Sequence, residues 1–281
     1  MQIKTSDLSY ASIARTAWGR TMIRTVENLT GRPRVLWRMR DLPGRLEAGE
    51  QIWQVLPDLF NIRINRIGPP VPASGPLLVI CNHPYGLADS LALCTLLAES
   101  GQPFRVVAND IFSKAGPIAD HILPISFATG RQAARANLDT RRRARAALDR
   151  GEIVAMFPAG STAGPPRPFA PPAEAPWSSF TARVALEADV PVLPVFMPMV
   201  RRPVFDTIGY LHPELRHALQ IAGFSRWIDR TVDIHVGTPM RISDLVDAPS
   251  PGVAEMTTAL RRAVLGLSPT PIDPEIEGKR F

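Results

Sequence analysis

Between residues 76 and 196 the sequence repeats one device: a short apolar run that stops abruptly at a proline, a glycine or a polar residue. PLLVIC (76–81) gives way to NHPYGLAD, EIVAM (152–156) to FPAGST, and VPVLPVF (190–196) to MP. Such runs are too short for a buried helix. Their hydrophobicity is continuous rather than alternating, which marks strands covered on both faces. Helical stretches lie between them: SLALCTLLAES follows the first run, and RQAARANLDTRRRARAALDRG, ending at Gly151, precedes the second. Ala136 and Leu148 are expected on the inner face of that second helix. FRVVAN, ILPISF and TVDIHVGTPM read as further strands, NIRINRIG alternates like a strand, and residues 252–266 read as a short helix. Strands alternating with helices predict an α/β fold, a mixed and largely parallel sheet flanked by helices with a basic helical segment at the N-terminus.

Three regions follow. Residues 1–60 are read as a helical, membrane-associating segment, 61–267 as the α/β domain and 268–281 as a Pro-rich tail, surface-bound or loose. Trp18, Met22, Val26 and Leu29 approximate one helical stripe with Arg20 and Arg24 away from it. RPRVLWRMRDLPGRL then interleaves Arg34, Arg38 and Arg40 with Leu36, Trp37 and Met39, a mixture that suits a lipid interface. A helix pair packed on the domain explains the same pattern, and the two readings are compatible. The N-terminus lacks the layout of a secretory signal, and no uninterrupted apolar run reaches about 18 residues, so the protein is expected to lie on a membrane rather than cross it.

A hydrophobic share of 45% supports a substantial core, and a formal charge of +6 points to an acidic partner: anionic lipid, nucleic acid or an acidic carrier protein. The Arg-rich helix could dock phosphates, but no aromatic stacking platform or helix-turn-helix layout accompanies it, which argues against nucleic acid. Cys81 and Cys94 lack metal-type spacing and read as buried thiols, so neither a metal nor a cofactor is expected.

Ligands of open α/β sheets gather just past the carboxyl ends of strands. There His83 has the chemistry of a general base, and Asp89 could orient its ring. The plainer alternative makes Asp89 a helix cap and His83 an ordinary loop residue. In the second segment Gly160 permits close backbone approach, Ser161 and Thr162 offer hydroxyls, and nearby amides could hold a phosphate or an oxyanion.

Taken together, NHPYGLAD, ILPISFATGR, AMFPAGS and VPVLPV resemble, in order, the motifs of the glycerolipid acyltransferase family, the group related to 1-acylglycerol-3-phosphate acyltransferase. The HPYGLAD form looks closest to its lysophospholipid acyltransferase or hemolysin-like branch, some members of which make ornithine-type aminolipids. The resemblance implies that His83, paired with Asp89, deprotonates an acceptor hydroxyl that attacks an acyl thioester directly. It also implies that Arg131, with Arg135 as a rival, binds the acceptor's anionic head. Phe157, Pro158 and Gly160 match the third motif, and Val190 to Val195 match the strand bordering the acyl site. Asn82, Gly86 and Ser161 join the candidate substrate-binding set. The implied partners are an acyl carrier protein or coenzyme A thioester, a lysolipid acceptor and the anionic cytoplasmic face of a bacterial inner membrane.

Two departures stand out. Five residues separate His83 from Asp89 where the family usually has four, and Ala159 replaces the usual Glu of the third motif, which opens the identity of the acceptor head group. Two other classes compete: a non-catalytic membrane-binding module on a degenerate acyltransferase fold, and a serine hydrolase using Ser161. The hydrolase lacks both the Ser-Asp-His chain order and a G-x-S-x-G elbow.

Overall fold

The computed structural model describes residues 9–14, 16–114, 116–202, 206–207, 210, 213–246 and 251–280. Its centre is a seven-stranded sheet of β1 (Arg63–Ile67), β2 (Leu77–Cys81), β3 (Phe104–Asn109), β4 (Ile122–Ile125), β5 (Ile153–Met156), β6 (Val192–Phe196) and β7 (Thr231–Val236). The strand order is β1-β7-β6-β2-β5-β3-β4. Every neighbouring pair is parallel except β6 with β7. The continuous apolar runs become the central strands: every residue of β2, β5 and β6 is buried, whereas β1, with Arg63, Asn65 and Arg66, is a mostly exposed edge. The sheet is therefore mixed and largely parallel, as the alternation of elements predicts, with β7 reversed against β6.

Alternate residues of the central strands feed two cores. Val79, Cys81, Ala155, Leu193 and Val195 face one core, roofed by α4 (Ile52–Phe60), α5 (Leu87–Glu99) and part of α8 (Pro213–Ser225). Leu78, Ile80, Val154, Met156 and Phe196 face the other, roofed by α6 (Arg131–Asp149), α7 (Ser179–Ala188) and α10 (Val253–Leu265). A four-residue helix, α9 (Ile242–Leu245), precedes α10. Cys81 and Cys94 are free and buried in the first core.

The N-terminal segment packs onto that first layer. It contains α1 (Ala17–Thr30), α2 (Arg32–Arg38) and α3 (Leu42–Glu47). The inner side of α1 is Gly19, Ile23 and Glu27, with Ile23 in a small cluster beside Ala218 of α8. This corrects the expected stripe: Met22 and Val26 are half-buried, while Trp18 and Leu29 are 72% and 81% exposed. A buried Glu is tolerated because Ser9 Oγ (2.6 Å) and the Tyr10 amide (2.7 Å) donate to it. Residues 1–8 and 15 of the segment lie outside the described residues. Arg34 and Arg38 do not face outward alone; both pair with Asp229, at 2.9 and 2.7 Å.

In α6 the buried positions are Ala133, Thr140, Ala144, Ala147 and Leu148. Leu148 faces inward as expected. Ala136 is exposed instead, because the helical repeat runs the inner line through Ala133, Asn137 and Thr140 and leaves Ala136 at its margin. The tail is held down over residues 274–280. Arg261 of α10, 6% exposed, donates to the carbonyls of Pro274 and Ile276 at 3.0 and 3.1 Å.

Candidate active site

The parallel pairing of β2 with β5 and β6 sets three chain exits side by side at one edge of the sheet. Asn82 follows β2 and is fully buried. Its amide nitrogen donates to the Met197 carbonyl (2.8 Å) and its oxygen accepts from the Met197 amide (2.7 Å), which clamps the exit of β2 to that of β6. Both ends of the Asn82 side chain are thus engaged with backbone, a scaffold position within the predicted site.

His83 comes next, with its side chain 17% exposed, and Nδ1 lies 2.9 Å from Oδ1 of the fully buried Asp89. The approach is close but off-axis, and neither atom has another hydrogen-bond partner among the described residues. Oδ2 of Asp89 accepts from the amides of Tyr85 (2.7 Å) and Gly86 (3.1 Å). One carboxylate therefore caps α5 and meets the histidine ring at once, so the cap and the histidine's partner are the same residue. The five-residue spacing fits because the chain turns before the helix begins: Gly86 has φ +80 and ψ −113, and a Cβ there would stand 2.7 Å from Gln220 Oε1. Only glycine adopts that backbone without strain.

The second predicted segment reaches the same place. Phe157 stacks on the His83 ring with centroids 4.3 Å apart, and the Ala163 amide donates to the His83 carbonyl at 2.7 Å. Pro158 and Ala159 are buried behind it, and the Pro158 carbonyl accepts from the Ser178 amide (3.0 Å). Gly160 has φ +67 and lies against Phe127, whose ring would meet an added Cβ at 2.7 Å. The Gly160 amide is itself spent on the Phe157 carbonyl (3.0 Å), which removes it from the amides expected to be open to an oxyanion. Ser161 Oγ is buried without a hydrogen-bond partner among the described residues, so it is not bonded to His83.

Arg131 and Arg135 are exposed near the start of α6, and the loop ahead of them reaches the site through Phe127. Two further guanidiniums, from regions with no local signal, bond the loops that follow β2 and β5. Arg202 donates to the Pro84 carbonyl (3.3 Å) and pairs with Asp206 at 3.5 Å. Arg216, from α8, is 2% exposed and donates to Thr162 Oγ1 (2.6 Å) and to the carbonyls of Thr162 and Ala163. Burial, with Arg202 nearby, pushes its pKa down to about 10. Also missed by sequence reasoning is Glu174, 1% exposed, which accepts from the His83 amide at 3.0 Å.

Burial by itself would lower the His83 pKa. The charge and contact of Asp89, with a smaller contribution from Glu174, outweigh that and leave it above the usual histidine value. The ring is thus a base strengthened by acidic neighbours, with Nε2 on the side away from Asp89. No group of three or more His, Cys, Asp or Glu able to hold a metal occurs among the described residues. A depression of about 550 Å³ lies away from this site: its rim includes Met240, which pairs with Val192 at the opposite end of β6.

Residues 63–198 match the protein family described as Acyltransferase. That acyltransferase-like segment runs from β1 to just beyond β6 and holds His83, Asp89, Phe157, Gly160 and Glu174. Among solved structures the chain is similar to the crystal structure of the 1-acyl-sn-glycerophosphate (LPA) acyltransferase PlsC from Thermotoga maritima. The identity is 12%, with 92% of this chain and 83% of that chain covered, and the TM-score is 0.47. No curated protein sequence matches.

Proposed function

We propose that the protein is an O-acyltransferase that moves a fatty acyl group from a thioester to the hydroxyl of a lysolipid at a membrane surface. The observation that carries this reading is the His83–Asp89 pair, 2.9 Å apart at the sheet's carboxyl edge, inside a segment that matches the acyltransferase family. Asp89 holds Nδ1–H, so Nε2 carries the lone pair that accepts the acceptor's hydroxyl proton. The oxygen then attacks the thioester carbon, the tetrahedral intermediate expels the thiolate, and the imidazolium returns the proton to sulfur. The thioester is already activated, so no covalent enzyme intermediate is required. Ser161 Oγ has no hydrogen bond to His83 or to any other base among the described residues, which weighs against the hydrolase reading.

The membrane part of the reading rests on the outer surface of the N-terminal helices. Trp18, Leu29 and Trp37 are 72%, 81% and 56% exposed, and the Arg40 guanidinium lies 4.6 Å from the Trp37 ring centre. Aromatic and basic groups together suit the headgroup layer of an anionic leaflet, such as the cytoplasmic face of a bacterial inner membrane. No helix among the described residues is long and apolar enough to cross a bilayer.

The test is acyl transfer by the wild type and by His83→Ala, with acyl carrier protein and coenzyme A thioesters as donors. The acceptors offered are lysophosphatidic acid, other lysophospholipids and a lyso-aminolipid. Product from the wild type, lost in a folded His83→Ala, is the expected result, and the panel names donor and acceptor. Equal inactivity of both on every acceptor, with vesicle binding retained, would leave the binding-module reading in its place.

A further inference from the structure

Glu174 lies in the loop between β5 and α7, a Pro-rich stretch whose composition marks it as a connector. Its placement is of another kind. One carboxylate oxygen accepts from the His83 amide at 3.0 Å and the other from Trp177 Nε1 at 3.0 Å. Two N–H donors and, among the described residues, no acceptor surround it; these bonds favour the ionised carboxylate against the burial that raises its pKa. The loop is held from outside by a second set of bonds. Gly164 and Ala173 pair across its base, with both amide-to-carbonyl distances 3.0 Å. The Gly278 amide of the tail donates to the Glu174 carbonyl (2.8 Å), and an added Cβ at Gly278 would collide with the carbonyls of Gly164 and Ala173. Arg261 donates to the Ala175 and Glu174 carbonyls, at 3.0 and 3.3 Å, while gripping the tail. So many bonds around one buried acid, 91 residues from the histidine it meets, exceed what a connecting loop requires.

We propose that Glu174 is a positioning residue of the active site: it fixes the backbone of His83 through the buried bond to its amide and sets a second carboxylate beside that of Asp89. The C-terminal tail and Arg261 are the brace that keeps it there. This rests on His83 being the base of the proposed reaction. Among the described residues the charged groups around His83 are Asp89 at the start of α5, Glu174 in this loop, Arg216 from α8 and, beyond the exit of β6, Arg202, which pairs with Asp206 and donates to the carbonyl of the adjoining Pro84. Asp89 and Glu174 favour the protonated ring and Arg216 opposes it, so removing one acid moves the balance in a stated direction.

The experiment follows the His83 ring by NMR titration in full-length protein, alongside the pH profile of kcat for acyl transfer. Glu174→Gln keeps an acceptor for the His83 amide and removes the charge. Its His83 pKa, and with it the acidic limb of the profile, should fall by about one pH unit. Trp177→Phe removes the other hydrogen bond but leaves the charge, and should move neither. If Glu174→Gln does not fold, Glu174→Asp keeps the charge at shorter reach. It should lower kcat several-fold with the acidic limb in place, and wild-type kcat there would overturn the proposal. So would an unmoved His83 titration in a folded Glu174→Gln, or the same shift in Trp177→Phe. The ring titration does not depend on turnover, so a failure of the acyltransferase reading and a failure of this inference give different results.

Discussion

The rim of the sheet and the outer face of the N-terminal helices are both rich in charge, but they use it in opposite ways. At the rim, His83, Asp89, Glu174 and Arg216 are largely withdrawn from water and held by specific partners. On the outer face, Arg20, Arg24 and Arg40 stand in solvent beside exposed Trp18 and Trp37. Buried charges interact strongly and leave a large penalty when one partner is removed. Exposed ones are screened and act as a sum. The rim should therefore fail at single residues, and the outer face only by accumulation.

The comparison breaks most readily at Asp89. Asp89→Asn can still accept from the Tyr85 and Gly86 amides, but it turns an N–H toward His83 Nδ1 and selects the tautomer with its proton on Nε2. The kcat should drop about 10²–10⁴-fold while circular dichroism and oligomeric state stay unchanged. A drop below about tenfold would mean that Asp89 is only a helix cap.

The pH profile sharpens the same point. His83 must be neutral to accept a proton, and its pKa is raised, so activity should fall about tenfold per pH unit once pH drops below a value above the ordinary histidine range. Stability runs the other way. A folded pKa above the unfolded one means that the pair's contribution is complete below the unfolded value and is lost as pH rises through the folded value. Chemical denaturation of wild type and His83→Ala across that interval should converge at the alkaline end, and a constant difference would contradict the assignment.

A smaller effect is expected at Gly86. Gly86→Ala must hold φ +80 with a Cβ pressed on Gln220, at about 1–3 kcal/mol of stability read from urea unfolding. On the outer face the unit step is smaller still. Arg24→Gln should weaken binding to anionic vesicles by about fivefold, roughly 1 kcal/mol, with the effect fading at high salt and no change in Tm. If that one substitution abolished vesicle binding, the outer face would be a specific site after all.

Much of the rim was legible in the amino-acid sequence, and the reason is range. His83, Gly86 and Asp89 act within one strand-to-helix turn, so local rules of capping and left-handed glycine place them relative to one another. The apolar runs had to be central strands, because nothing else buries both faces of so short a segment. The α1 stripe was read less well, since a helix's inner side depends on its partner: α8 selects Gly19, Ile23 and Glu27 over Trp18 and Leu29.

The sequence by itself determined an α/β sheet with a histidine and a carboxylate at the exit of β2, because those features follow from hydrophobic pattern and turn chemistry over a few residues. Only the tertiary structure decided that β7 runs against β6, that Arg202 reaches the Pro84 carbonyl and Arg216 the turn at Thr162 and Ala163, and that Glu174 reaches the His83 amide. Those outcomes depend on segments far apart in the chain being packed side by side, and no local pattern carries the free energy of that packing.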